Sequence, residues 1–369
     1  MFGRIPDMTD RRSWPRWITL SALAVAVLGL TAACGGGTAQ PTTAPSQPAA
    51  APAKAPEATK PAAAAPANVI RVKYSDQVAE DHPEQKATRE WAEKVKTMTN
   101  GALVIDVYAN SVLGSPRENL EQMQIGQLEF AKISTAALGG FVPQFQVFDL
   151  PYVFKSREHL LKATDGEPGK ILEKMLADKL GIKILGWFDA GARSIFTSKK
   201  PVKTIADLKG QKIRVMESPL MIQTFNLMGA AAVPMAYGEL YSALQQGVVD
   251  GAENSQIAYR SMKHYEVAKY FTLTEHFMTP DIPMVSLKWF NAQPKEIQNA
   301  VEQSAKELIQ NERKYWLEYE KFVTNDLKSK GVQFMDTDKE PFAKAVEPVY
   351  KDFEPKIGKD LMDMTRNMK

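Results

Sequence analysis

The sequence predicts an α/β protein with two domains, and three observations predict it. Short β-branched or apolar runs alternate with amphipathic helical stretches along the body of the chain, the rhythm of layered α/β folds. The chain has 369 residues, more than one small core requires and enough for two domains with accessories. One helical pattern, Pro294–Lys330, would be about 50 Å long at ~1.5 Å per residue. That exceeds the width of one domain, so the helix is expected to run along both.

The elements follow in order. Val69–Tyr74 (VIRVKY) alternates and reads as a strand. After the polar SDQVAEDHP, a helix over Glu84–Thr97 puts Ala87, Trp91, Ala92 and Val95 on one face. Asn100-Gly101 turns the chain into the strand Leu103–Tyr108. Arg117–Ile125 is a helix closed by Gly126, and Phe130–Ser134 is a buried strand. Phe148–Phe154 is an apolar strand or turn, Arg157–Leu180 a helix and Ile182–Ala190 the next strand. Gly191–Lys203 carries Arg193 on an alternating segment. Beyond residue 254 come a helix near Ile257–Tyr265 and strands at Tyr270–Leu273 and Pro283–Leu287. The long helix ends at Gly331, and Val332–Met335 is a last strand before C-terminal helices.

The stretch Asp207–Asn254 is a compact βαβα unit. Its IRV strand, Ile213–Val215, holds Arg214, and Ser218 with Pro219 opens the helix Pro219–Leu227. Gly229 stops that helix, Val233–Met235 is a second strand, and Glu239–Gln245 is a second helix ended by Gly247. An arginine at a strand end, facing the start of a helix, is well placed to grip an anion. The alternative is an ion pair with a nearby acid within the same unit.

The first 67 residues read as an address and a tether. Arg11, Arg12 and Arg16 precede the apolar run Ile18–Leu30 and the small residues before Cys34. That is the layout of a secretory signal, and the run is short of the ~20 residues needed to span a bilayer. The segment resembles a bacterial lipoprotein signal, with residues 1–33 removed and Cys34 lipidated. Residues 35–67 hold seven prolines and thirteen alanines with almost no large apolar side chain, so 34–67 is expected to be a disordered spacer. The protein is then exported and held by lipid on the extracytoplasmic face of a membrane, in the periplasm or at the cell surface.

Composition excludes several classes. Net charge is +3, and removing residues 1–33, with four arginines against two aspartates, leaves +1, so no nucleic-acid partner is expected. A single cysteine leaves no intramolecular disulfide and no cysteine-based zinc site. The histidines at 82, 159, 264 and 276 never pair at helical ligand spacing, so neither metal nor cofactor is expected. The GEPGK at 166–170 lacks the spacing and the Ser/Thr of a phosphate loop. No cysteine nucleophile and no G-x-S-x-G is present, so no enzyme is expected.

At DLKGQKIRVMESP, VPMAYGELYSALQQGVVDGAEN and HYEVAKYFTLTEH the sequence resembles the solute-binding proteins of TRAP transporters, the DctP-type family. The likeness extends through TNGALVIDVYANSVLGS and VFDLPYVF and covers essentially all of residues 69–360. The resemblance implies a two-lobed, periplasmic-binding-protein-like (type II) fold with chain crossovers and a long helix spanning both lobes. Lobe one would comprise 68–190 plus 281–320 and lobe two 191–280 plus 321–369. It also implies closure on a small organic acid and delivery to the small and large membrane subunits of a permease driven by an ion gradient.

The same resemblance assigns roles. Arg214 matches the arginine that receives the ligand carboxylate; a guanidinium offers a flat fork of donors and stays charged. Arg193 matches a second arginine of the site, and Asn254 an asparagine that donates to ligand oxygens. Tyr237 stands where relatives place an aromatic wall, and Glu217 where the residue varies with ligand class. Gln77, Glu80 and His82 lie in the first strand–helix loop, and Ser134 falls where the sialic-acid binders carry glutamate, which argues against sialic acid. His276 is a further candidate for the cleft. A sugar acid such as a uronate, or a hydroxy acid, is expected first; a dicarboxylate comes next, with Arg193 taking its second carboxylate. A ligand-sensing lipoprotein that signals to a receptor, and an enzyme on the same fold, are the competing readings.

Overall fold

The computed structural model describes residues 68–368. The expected signal, Cys34 and the spacer lie outside the described residues. The chain first builds β1 (Ile70–Ser75), β2 (Leu103–Tyr108), β3 (Phe130–Ser134) and β4 (Ile182–Ile184). It then leaves for a second sheet made of β5 (Arg193–Thr197), β6 (Lys212–Val215), β7 (Ala231–Pro234), β8 (Gly251–Asn254) and β9 (Tyr270–Phe277). β10 (Asp281–Ser286) returns to the first sheet, and β11 (Gln333–Met335) returns to the second after the helix Lys295–Ser329.

The first sheet has the order β2-β1-β3-β10-β4, and the second β11-β9-β5-β8-β6-β7. β1 is parallel to β2 and β3, while β10 is antiparallel to β3 and β4. β6 is parallel to β7 and β8, and β5 runs antiparallel to β8 and β9. The chain therefore crosses between two α/β lobes at residues 185–192, at 278–280 and along the long helix. Parallel strands deliver their next residues to the carboxyl edge of the sheet, where open α/β folds bind ligands. Here those residues follow β1, β3, β6 and β8.

The long helix has 35 residues and joins two cores. Its Ile297, Val301 and Leu308 pack with Trp91 and Val95 of the first lobe. Its Trp316, Val323 and Leu327 pack with Phe196 and Leu244 of the second. A further core belongs to both lobes: Phe342, Val349 and Phe353 of the C-terminal helices share it with Phe145 and Leu172 on one side and Leu220 and Phe225 on the other. Burial on this scale, at roughly 25 cal/mol per Å² of apolar surface, ties the lobes together away from their polar faces.

Two elements differ from expectation. The helix expected over Arg157–Leu180 is two helices, Arg157–Asp165 and Glu167–Leu180, because Gly166 leaves the helical region and Pro168 starts afresh. The strand expected over Ile182–Ala190 stops at Ile184. Gly186 then takes φ +152°, beneath Ile309, where an added Cβ would come within 2.4 Å. Of the strand or turn expected at Phe148–Phe154 the turn is what forms: it follows the 3₁₀ helix Pro143–Asp149, whose Phe145, Val147 and Phe148 are fully buried.

Candidate functional site

A cleft of about 920 Å³, its open mouth included, lies between the lobes. The second lobe supplies one wall from the ends of β5, β6 and β8. Ser218 caps the helix after β6 by accepting from the Met221 N–H, which sets the turn that leaves Arg214 and Glu217 at the cleft. Arg214 is 2% exposed, and its Nε and Nη2 both donate to the Met235 carbonyl, at 2.9 and 2.6 Å. Among the described residues no carboxylate pairs with it, and its buried Nη1 has no partner. Tyr237 places its ring 5.4 Å from the guanidinium. Burial, with Arg193 nearby, brings the Arg214 pKa down to about 10 against the opposing pull of Glu253. A buried cation left in this condition is costly by several kcal/mol unless an anion arrives.

Arg193 is in the opposite condition. Its Nε and Nη2 grip Glu253 at 2.6 and 2.8 Å, and its Nη1 donates to Asn254 Oδ1 at 2.8 Å. Burial alone would push Glu253 up, yet Arg193 and His276 outweigh it and hold the carboxyl at about 2. The Arg193 charge is therefore already neutralised inside the lobe. Asn254 donates from Nδ2 to the Tyr237 hydroxyl at 3.1 Å, so Arg193, Asn254 and Tyr237 form one hydrogen-bonded chain along the wall.

The first lobe supplies the other wall from the ends of β1 and β3 and the start of β10. Its centre is Lys132, 3% exposed, with Nζ 2.9 Å from Glu84, 3.1 Å from Asp76 and 3.2 Å from Asp281. Burial works against a charged lysine, but the three carboxylates outweigh it and raise the Lys132 pKa well above the ordinary range. Burial, with Asp281 and Asp76 beside it, pushes Glu84 well up despite Lys132. His82 caps the helix Pro83–Met98, its Nδ1 accepting from the Glu84 N–H, and its ring meets the Trp316 edge. Burial and Lys132 hold that imidazole neutral. Since Nδ1 accepts, the proton sits on Nε2, which has no partner among the described residues.

The cleft thus brings together Arg214, Arg193, Asn254, Glu217, Tyr237, Gln77, His82 and Ser134. Two expected members are elsewhere. Glu80 is exposed and holds Arg89 outside the cleft, because its position one turn before the helix faces solvent. His276 is fully buried behind the wall, bonded to Thr274 Oγ1 and 3.7 Å from Glu253 Oε2, so it supports Glu253 and does not line the cleft. Lys132, Glu84, Asp281 and Trp316 also line the cleft and were not anticipated. The lysine in the middle of the buried strand FAKIS was the available signal, since a lysine there requires carboxylates from elsewhere.

The family model for bacterial extracellular solute-binding proteins, family 7 (DctP), matches residues 74–356. A TRAP periplasmic solute-binding protein from Sulfitobacter sp. NAS-14.1, with bound β-D-galacturonate, is 37% identical, with a TM-score of 0.78 over 81% of this chain and 100% of that one. One from Roseobacter denitrificans, with bound β-D-glucuronate, is 33% identical, with a TM-score of 0.78 over the same shares. The C4-dicarboxylate-binding periplasmic protein DctP of Rhodobacter capsulatus is 36% identical over 242 residues, 65% of this chain and 72% of that protein. Two lobes around a cleft that carries buried charged groups, a family match across nearly the whole described body and relatives of the same build lead to one assignment: the chain belongs to the DctP family of TRAP-transporter solute-binding proteins.

Proposed function

We propose that the protein captures a small sugar acid outside the cytoplasm, through a bond between Arg214 and the ligand carboxylate, and delivers it to the two membrane subunits of a TRAP permease. One observation carries this reading: Arg214 is buried at the cleft, has no carboxylate partner among the described residues, and keeps an unpartnered Nη1. The uronates bound by the two related structures support the ligand class. In this reading the carboxylate docks on the second lobe, and the first lobe (68–190 plus 281–320) closes on the second (191–280 plus 321–369). Water leaves as the cleft shuts, which strengthens each charged bond and stabilises the closed form presented to the permease. Lipidation at Cys34 holds the protein at the membrane, with residues 34–67 as the spacer. Among the described residues no helix is long and apolar enough to cross a membrane.

Arg214→Ala is expected to cost about 3–5 kcal/mol of binding, roughly a 150- to 5,000-fold rise in Kd. Calorimetry with D-glucuronate and D-galacturonate measures it, and near-normal affinity in the variant overturns the proposal.

A further inference from the structure

We infer that the first-lobe wall is a hydroxyl-reading subsite, built on Lys132, Glu84, Asp281, His82 and Ser134, that selects polyhydroxylated monocarboxylates and rejects dicarboxylates. The inference rests on Arg214 receiving the ligand carboxylate, and it concerns the other end of the ligand.

Consider what each wall offers. Arg117 also lines the cleft, but it is paired with Glu121 and its side chain is 69% exposed. Among the buried cations of the lining, Arg193 is held by Glu253 and Lys132 by three carboxylates. Arg214 alone remains for an anion. A ligand carrying a second carboxylate would set it against a wall where three acids surround one lysine. Like charges in a buried site repel far more strongly than in water.

The unpartnered atoms of that wall point the same way. His82 Nε2 and Ser134 Oγ are buried with no partner among the described residues, and both residues line the cleft. The first is a donor because Nδ1 accepts from the helix, and the second is a rotatable hydroxyl. Glu84 Oε1 is likewise buried and without a partner among the described residues, and it is an acceptor. Donors and acceptors interleaved on one surface match groups that both give and take a proton. A sugar hydroxyl does so; a carboxylate only accepts. A ligand without hydroxyls would leave these buried groups unsatisfied, at about 5- to 150-fold in affinity each, which is how a polar site rejects an apolar analogue.

The test is calorimetry on the purified chain with D-glucuronate and D-galacturonate, with hexanoate as the hydroxyl-free acid, and with glutarate and D-glucarate as dicarboxylates. The wild type should bind a uronate at least 100-fold more tightly than hexanoate or either dicarboxylate. Asp281→Asn and Glu84→Gln, each checked for an intact melting transition, should shrink the preference for uronate over D-glucarate at least tenfold. Arg214→Ala should weaken all the acids together, and its failure to do so would break the underlying reading. With Arg214 upheld, binding of a dicarboxylate or hexanoate as tight as that of the uronates, or an unchanged preference in both first-lobe variants, sinks the subsite.

Discussion

The two walls of the cleft solve the burial of charge in opposite ways. The second-lobe wall keeps one cation unpaired, Arg214, beside a second that is locked to Glu253. The first-lobe wall gathers Asp76, Glu84 and Asp281 around Lys132 and so leans negative. A ligand lying between them meets an electron-poor end and an electron-rich end, which fixes its orientation before any shape matching. The difference teaches that the number of charged residues in a cleft says little; what matters is which charges are already answered within their own lobe.

The contrast breaks most visibly at Glu253. Glu253→Gln leaves Arg193 without its bidentate partner, and breaking a buried pair of this kind costs about 3–5 kcal/mol of stability. Urea unfolding reads that loss, and calorimetry should show improved relative affinity for glutarate, since a second cation becomes free. An unchanged unfolding midpoint would mean that the pair contributes nothing.

The walls should also respond to pH with opposite sign. Glu253 is held at about 2 against an ordinary 4.5, so its contribution is full above pH 4.5 and is lost as pH falls toward 2. Glu84 is raised well above 4.5 by burial, so its contribution is lost as pH rises beyond 4.5. Melting temperatures across that range should show the deficit of Glu253→Gln vanishing toward pH 2. Glu84→Gln should gain on the wild type by a few degrees as pH rises to neutrality. Parallel curves for the two variants would erase the contrast. The smallest effect belongs to Glu80→Ala, outside both walls, which should change stability by less than about 0.5 kcal/mol and leave uronate affinity untouched.

How much of this was legible in the sequence differs between the walls for a physical reason. The second-lobe wall comes from residues 193–254, nearly one continuous stretch, whose cap, glycine stops and strand arginine can be read locally. The first-lobe wall assembles from residues 76–84, 132 and 281, joined only because β10 returns antiparallel beside β3, opposite Ser134 and Lys132. No local pattern announces that return, so neither Lys132 nor Asp281 is singled out by the sequence. The long helix was readable to within a residue or two at each end, since its apolar points persist for 35 residues. Gly186 and Gly166 broke the neighbouring elements through contacts and backbone geometry that periodicity does not encode. Glu80 shows the converse, since adjacency to His82 along the chain did not put it on the same face.

The helix Lys295–Ser329 has a mechanical consequence. A continuous rod anchored in both cores holds its two ends at a nearly constant separation, while bending remains soft. Sliding the lobes apart would tear one of those anchors, so the freedom left is a turn about a fulcrum near the middle of the rod. Glu312 there accepts from the Asp189 N–H of the first crossover at 3.0 Å, and Trp316 lies against His82 and the crossover residue Gly191. The cleft is then the long arm of a lever, and its rim travels furthest for a given turn. Arg117 and Glu217, the exposed charged members of the lining, ride on that rim from opposite lobes.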